Sequence, residues 1–372
     1  MTVTANENTV HIESETAVLM DAKSGQVLFG KNEQKTMYPA SITKVATAIY
    51  ALDNTEMDEI VEISEKATDV EGTKVYLIPG EKVPIKKLLI GMIMNSGNDA
   101  AYAIAEYIDG TMDDFEKNIN MFLKEKAGVE HTLFVNPHGL FNEAHYTTAE
   151  DMARITRYAL QNEGFRNLFQ MTEYDWEGEG WETTLLTHHR LLKGEFPYEG
   201  ITGGKNGFVN ESGYTLVTTA KRDGLELIAV TMKTNLKNVP YTDTIQLLDY
   251  GFDHFETKKV EKGSIFETEE GHFIANEDLF FTINKQHTYV TQVSNDGTLT
   301  IIDENTNETL AKFSLTQEDM KVVKMQEAVA SEIDEKKEHK IMQTILFGLI
   351  PFMFLPAVLL IGRWNKSRER FF

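Results

Sequence analysis

Residues 38 to 52 read "YPASITKVATAIYAL", a run that is apolar almost all the way round a helix yet carries a lysine inside it. At 3.6 residues per turn, Lys44 lies one turn from Ser41 on the same helix face. Pro39 just ahead, and Ser41 itself, make a helix start. Two readings fit: a capping serine with a lysine whose ammonium snorkels to water, or a nucleophilic serine with a lysine held as its base. A serine followed three residues later by a lysine arises by chance roughly once in a chain this long, so the pair decides nothing alone.

The chain has 372 residues and 41% hydrophobic content, enough for one large domain and a smaller one with buried cores. Its formal net charge of -22 argues against a nucleic-acid partner, because such a surface repels phosphate. It has no cysteine, which excludes a disulfide framework and a thiolate zinc site.

Working outward to the end of the chain, "IMQTILFGLIPFMFLPAVLLI" (341–361) carries no charge over 21 residues. As a helix it would span roughly 31 Å, the thickness of a bilayer core. Pro351 and Pro356 are easier to accommodate in a membrane span than in a soluble helix. The tail 362–372, "GRWNKSRERFF", sets Arg363, Lys366, Arg368 and Arg370 against a single Glu369, which places it in the cytoplasm and everything before residue 341 outside. An outside domain needs an export signal, and "MTVTANENTVHIESETAV" offers no basic start, apolar run or cleavage site. Either the start is wrong or trimmed, or the C-terminal span inserts as a tail anchor with the opposite topology. The charge bias of the tail favours the first, so the expectation is an export signal that this sequence does not include.

Residues 17 to 32, "AVLMDAKSGQVLFGKN", predict two short strands joined by a Lys-Ser-Gly turn. From Ser41 to about residue 165 apolar positions recur at helical spacing, as in "PIKKLLIGMIMN", "AAYAIAEYIDG", "DDFEKNINMFLKEKAG" and "TAEDMARITRYALQN". Strands return in "GGKNGFVNESGYTLVTTAKRDGLELIAVTM", where "NESG" and "KRDG" are turns. Strands at both ends of a helical middle predict an α+β domain, one antiparallel sheet with helices packed on it, over residues 1–257. Short alternating runs ("LFFTI", "TYVTQV", "TLTIID", "TLAKFSL") predict a small all-β domain at 258–315. A charged, helical stalk is expected at 316–340, ahead of the transmembrane helix at 341–361 and the basic tail at 362–372.

Two further motifs change the weight of the first. "MNSGNDAAYAIAEYI" places Ser96, Gly97 and Asn98 at the entrance to an alanine-rich helix, which alone reads as an N-cap with a glycine turn. "GITGGKNGF" places Lys205 among small residues at the start of a strand, where a backbone can approach a ligand, or where a lysine protects an edge. Ser-x-x-Lys, Ser-x-Asn and Lys-x-Gly in that order, with a hairpin before the first and another after the third, form the pattern of the penicillin-recognising serine hydrolases. At this point the chain resembles a low-molecular-mass penicillin-binding protein, a D-alanyl-D-alanine carboxypeptidase of the S11 peptidase family. The likeness covers about residues 12 to 315 and extends to "NPHGL" (136–140), "YTTAEDMARI" (146–155) and "HHRLL" (188–192).

The resemblance implies a β-lactamase/transpeptidase-like domain and a D-alanyl-D-alanine carboxypeptidase acting on peptidoglycan stem peptides through an acyl-enzyme, with β-lactams as inhibitors. It implies Ser41 as nucleophile and Lys44 as its base. Ser96 is the expected proton carrier toward the leaving amine, and Asn98 holds Lys44 or the substrate amide. Lys205 attracts the terminal carboxylate, with Asn206 and Gly207 beside it, and the backbone N–H groups of Ser41 and Phe208 form the oxyanion hole. No cofactor or metal is implied, and His138, His145, His188 and His189 read as loop hydrogen-bonding residues rather than as a ligand set. One departure stands out: Asn206 occupies the place where the family usually has threonine. That leaves a catalytically weak wall-binding protein and a D,D-endopeptidase as alternatives. A β-lactamase fits less well, since no counterpart of its extra deacylating glutamate is found.

Overall fold

The computed structural model of the protein describes residues 10–318. The opening hairpin forms as the turn signal predicts, with β1 (Thr16–Asp21) and β2 (Val27–Lys31) antiparallel and Gly25 supplying the positive φ of +76° in the turn. A 3-10 turn, Ala40–Ile42, then leads into α1 (Thr43–Asn54). The helical middle follows: β3 (Ile60–Glu62), α2 (Glu65–Asp69), β4 (Lys82–Pro84), α3 (Ile85–Met94), α4 (Asn98–Asp109), α5 (Met112–Ala127), α6 (Ala149–Ala159) and α7 (Glu163–Phe169). A hairpin of β5 (Glu173–Glu177) and β6 (Glu182–Leu186) comes before the closing strands β7 (Ile201–Val209), β8 (Gly213–Arg222) and β9 (Leu225–Thr234) and the long helix α8 (Val239–His254).

The main sheet has the order β2-β1-β9-β8-β7 and is antiparallel throughout, so the first strands of the chain pair with the last of the domain. Thr16 lies opposite Met232 and Asp21 opposite Leu227. All six residues of β1 are buried, because the sheet is covered on both faces. Val18, Met20, Val217, Ile228 and Val230 pack into one cluster with residues of α1, α3, α4 and α6. Their strand neighbours Ala17, Leu19, Leu227 and Ala229 pack against Leu247, Leu248 and Phe252 of α8. The period of two along each strand thus sends successive side chains to different layers. This alternation decides what the third motif can reach.

The sequence reading did not mark α8, nor the short hairpins β3–β4 and β5–β6. Helix α8 carries a buried carboxylate that fixes the approach to β1. Asp243 accepts the N–H groups of Glu13 at 3.1 Å and Ser14 at 2.8 Å.

Beyond α8 the chain forms β10 (Phe255–Val260), β11 (Ile265–Thr268), β12 (Gly271–Ile274), β13 (Leu279–Asn284), β14 (Tyr289–Val293), β15 (Thr298–Asp303), β16 (Thr309–Ser314) and β17 (Thr316–Glu318). They make three small sheets, β10-β13, β11-β12-β17 and β14-β15-β16. By compactness the described residues divide into a larger unit that runs to Lys259 and takes in Leu279–Val290 and Ile301–Ala311, and a smaller one from Val260–Asp278, Thr291–Thr300 and 312 onward. Thr316–Glu318, at the head of the stretch expected as a helical stalk, is a strand, with Glu318 opposite His272. The rest of that stalk, the expected span at 341–361 and the basic tail lie outside the described residues. Among the described residues no helix is long and apolar enough to cross a membrane.

Candidate active site

Ser41 sits in the middle of the 3-10 turn, not at the N-cap of α1; that position falls to Ile42, with no side-chain cap bond. The capping reading of Ser41 is therefore not realised. The residue before it, Ala40, has φ +51°, a left-handed conformation that costs an alanine about 1–2 kcal/mol and persists only where its surroundings enforce it. They do so on three sides. Thr215 Oγ1 on β8 donates to Pro39 O at 2.8 Å, and Thr43 Oγ1 donates to Ala40 O at 2.8 Å. Behind them Gly139 (φ +85°) comes so close that a Cβ on it would lie 1.9 Å from Ala40 O.

Lys44 does not snorkel to water; its side chain is fully buried. Its Nζ lies 3.2 Å from Ser41 Oγ, 2.7 Å from Asn98 Oδ1 and 2.8 Å from the carbonyl oxygen of His138. Burial pushes the Lys44 ammonium well below the ordinary lysine range, and the charge of Lys205 adds to this, while Asp99 opposes it. Two of the three contacts can only accept. In the neutral amine both N–H bonds are therefore taken by Asn98 and His138, and the lone pair is left facing the Ser41 hydroxyl.

Asn98, the first residue of α4, is oriented by its other end, since Nδ2 donates to Glu71 O at 2.7 Å. The Glu71–Leu77 segment is in turn hung on buried Asp99, whose carboxylate accepts the N–H groups of Val75 and Leu77. So in the free protein Asn98 holds Lys44, and its amide hydrogens point away to Glu71. Ser96 is buried in the bend between α3 and α4, again at positive φ (+59°), where a residue is free of helix and strand pairing.

The third motif lies on β7, the edge strand of the main sheet. Lys205 stands opposite Val217 and Gly207 opposite Thr215, on the face that meets Ser41. A Cβ at Gly207 would come 2.8 Å from the Ser41 nitrogen, so only glycine lets the strand approach so closely. Lys205 is 2% exposed, its Nζ donates to Asn206 O at 2.9 Å, and burial lowers its pKa to about 7. It is not the solvent-facing edge lysine that the sequence left open. The Val209 N–H turns toward the hairpin and Ser212 Oγ at 3.2 Å. By strand alternation the N–H of Phe208 faces the free edge of the sheet, on the side where a substrate would pair.

Asn206 and Phe208 send their side chains to the opposite face. Asn206 pairs with Leu216, whose neighbours are Leu191 and Tyr241, and lines a cavity of about 380 Å³ with Arg190, Lys193, Glu195 and Lys237. Phe208 is half exposed, its ring centroid 4.5 Å from that of Tyr214. The structure therefore brings together Ser41, Lys44, Asn98, Lys205 and Gly207, and sets the Asn206 side chain apart on a cationic cavity. The sequence reading missed Thr43, Thr215 and Asp99; the only sign of them was polar residues inside otherwise apolar runs. It also left His145 as one more loop histidine.

This geometry accords with the comparisons with known proteins. The sequence profile of the Peptidase S11 family, described as D-alanyl-D-alanine carboxypeptidase, matches residues 1–235. The D-alanyl-D-alanine carboxypeptidase DacF of Bacillus subtilis is 35% identical over 257 residues, 67% of this chain and 65% of the relative. The corresponding DacA of Haemophilus influenzae is 30% identical over 271 residues, 68% of this chain and 65% of the relative. The alignments thus span just under two thirds of these relatives' own length. Penicillin binding protein 5 from Haemophilus influenzae superposes with a TM-score of 0.73 at 25% identity, over 83% of this chain and 97% of that one. A serine, a buried lysine and an asparagine joined at one point, with a lysine-bearing edge strand laid against the serine nitrogen, are thus the setting in which the matched profile falls, and the chain belongs to the S11 family of D-alanyl-D-alanine carboxypeptidases.

Proposed function

We propose that the protein is a serine-type D-alanyl-D-alanine carboxypeptidase that removes the terminal D-alanine from peptidoglycan stem peptides. The observation that carries this reading is the position of the buried Lys44 Nζ, 3.2 Å from Ser41 Oγ with the acceptors Asn98 Oδ1 and His138 O at 2.7 and 2.8 Å, so that the neutral amine, which burial favours, turns its lone pair to Ser41. In the first step the Ser41 proton passes to Lys44 Nζ as Oγ attacks the penultimate D-alanyl carbonyl. The N–H groups of Ser41 and Phe208 receive the oxyanion. Ser96 relays the proton to the leaving nitrogen, free D-alanine departs, and water then hydrolyses the ester and returns Ser41 and Lys44 to their starting state. Lys205 is only partly charged at neutral pH in the free protein; the substrate's terminal carboxylate favours its ammonium form on binding. A β-lactam enters by the same first step and leaves a slowly cleared ester on Ser41.

Residues 341–361 anchor the protein in the cell membrane in this reading, with the catalytic domain on the extracytoplasmic side and the basic tail in the cytoplasm. The charge-free length of that run and the excess of arginine and lysine after it support this.

The deciding assay follows D-alanine release from a stem pentapeptide, with Ser41→Ala as the blank. Release by the parent and none by the variant is expected. A parent that takes up fluorescent penicillin but releases no D-alanine is instead a wall-binding protein that has lost turnover. Release of D-alanine, or a covalent penicillin adduct, with the Ser41→Ala protein overturns the nucleophile assignment.

A further inference from the structure

The peptide unit between Ala40 and Ser41 joins the strained turn to the reaction. Its carbonyl belongs to Ala40 and its N–H to Ser41, and in a planar trans peptide the two point in opposite directions. Whatever holds the Ala40 oxygen therefore aims the Ser41 N–H. That oxygen accepts both the backbone N–H and, at 2.8 Å, the hydroxyl of Thr43. The Thr43 oxygen in turn lies 2.9 Å from His145 Nε2, and His145 Nδ1 accepts the N–H of Val135 at 3.1 Å. A backbone N–H can only donate, so Nδ1 is unprotonated and the ring proton sits on Nε2, where it donates to Thr43. Every hydrogen in the chain then runs one way, from His145 Nε2–H to the Thr43 oxygen, and from the Thr43 hydroxyl to Ala40 O.

We propose that His145 and Thr43 are positioning residues for catalysis, forming a relay that orients and polarises the Ala40–Ser41 peptide so that the Ser41 N–H is fixed as an oxyanion donor. The ring is held in one orientation. It is 2% exposed, and it stacks on Phe134 with centroids 4.9 Å apart and planes 19° apart. Burial, together with the charge of Lys44, lowers its pKa to about 3, so it keeps one neutral tautomer across the working pH range. Donors converging on an amide oxygen also strengthen its N–H as a donor, because aligned hydrogen bonds polarise one another. No atom of the relay exchanges a proton with the substrate; its effect falls on a barrier whose transition state carries charge on the carbonyl oxygen.

The inference rests on the reading of Ser41 as nucleophile and of its N–H as an oxyanion donor. The test separates the noncovalent dissociation constant for a penicillin from the acylation rate constant, by rapid mixing, and records melting curves. Removing an oxyanion-hole donor outright costs about a hundredfold to a thousandfold in rate, so misaiming one should cost about tenfold to a hundredfold. Thr43→Val and His145→Phe, the latter keeping the stack on Phe134, are expected to slow acylation by that factor while the dissociation constant moves less than about threefold. Thr43→Ser, which restores the hydroxyl, should recover most of the rate. A peptide boronic acid, whose tetrahedral oxygen occupies the same hole, should lose affinity by the same factor as the rate.

Folded Thr43→Val or His145→Phe protein that acylates at the parent rate overturns the proposal. So does a loss confined to melting temperature and dissociation constant, which would make these residues packing only. Either variant alone decides the matter if the other fails to fold. Failure of the underlying site reading looks different, because Ser41→Ala would then still take the penicillin label.

Discussion

Lys44 Nζ stands 3.2 Å from Ser41 Oγ while its other two contacts, Asn98 Oδ1 at 2.7 Å and His138 O at 2.8 Å, are groups that can only accept. The amine is thus both buried and directional. Lys44→Met, similar in length but without a lone pair on nitrogen, should lower the penicillin acylation rate by about a hundredfold to ten-thousandfold, the usual worth of a general base. It also leaves two buried acceptors unpaired, at about 1–3 kcal/mol each, so denaturant unfolding should show reduced stability. Lys44→Arg should acylate almost as poorly, because a guanidinium keeps its proton at working pH. Parent-like acylation by either variant would remove Lys44 from the role of base.

The two buried lysines predict a bell-shaped dependence of kcat/KM on pH. The rate should rise as Lys44, depressed by burial and by Lys205, loses its proton and becomes a base. It should fall again as Lys205, lowered to about 7, loses the charge that draws in the substrate carboxylate. The groups interact, so the two limbs report apparent values of the pair. Lys205→Arg keeps its charge throughout and should abolish the alkaline limb at a reduced plateau. An alkaline limb unchanged in that variant would assign it to another group. Stability has its own sign: between about pH 7 and the ordinary lysine value the unfolded chain holds a proton on residue 205 that the folded protein does not, so this residue makes stability rise with pH across that window.

Asn206 faces the cavity shared with Arg190, Lys193 and Lys237, away from the Lys205 side chain. Glu195 pairs with Arg190 at 2.6 Å and with Lys193 at 3.4 Å, which leaves Lys237 without an acidic partner among the described residues. Asn206→Asp places a negative charge in this setting and should weaken an anionic substrate or penicillin, an effect that shrinks at high salt. Because that side chain points away from Ser41 and Lys205, Asn206→Thr and Asn206→Ala, which add no charge, should change acylation far less than Asn206→Asp. If threonine, alanine and asparagine give one acylation rate, residue 206 does not touch the ligand.

For the anchor, the full-length chain should stay in membranes through salt and carbonate washes, which strip surface-bound helices. A chain ending at residue 340 should be soluble and still label with penicillin, since Ser41, Lys44, Asn98 and Lys205 belong to a sheet and helices complete before residue 255. Full-length protein in the carbonate supernatant would defeat the spanning reading of 341–361.

What the sequence determined by itself was what local chemistry writes locally. Alternation and turn residues marked the strands at both ends of the domain, and their order required one antiparallel sheet around a helical middle, which β1 and β9 form with Thr16 opposite Met232. The three motifs named the residues that could carry the chemistry, because a hydroxyl one turn from a lysine is visible in the chain itself. Helix α8 stayed unmarked because its buried face is not purely apolar: Asp243 and Thr244 sit there beside Leu247, Leu248 and Phe252, which blurs the contrast with exposed Thr242, Gln246, Asp249 and Asp253.

Only the tertiary structure could choose between the two readings of Lys44. Snorkelling and burial look the same in "SITK"; they differ by the loop that brings His138 O and the helix that brings Asn98 over the amine from 94 and 54 residues away. Strand parity then split the third motif, sending Lys205 and Gly207 to Ser41 and Asn206 to the other face, a consequence of the register Lys205–Val217 that no motif spells out. The hold on the Ser41 peptide was the least legible of all. Its threonine and histidine lie 102 residues apart, and their meaning depends on a hydrogen-bond direction that exists only once Val135 has fixed the tautomer.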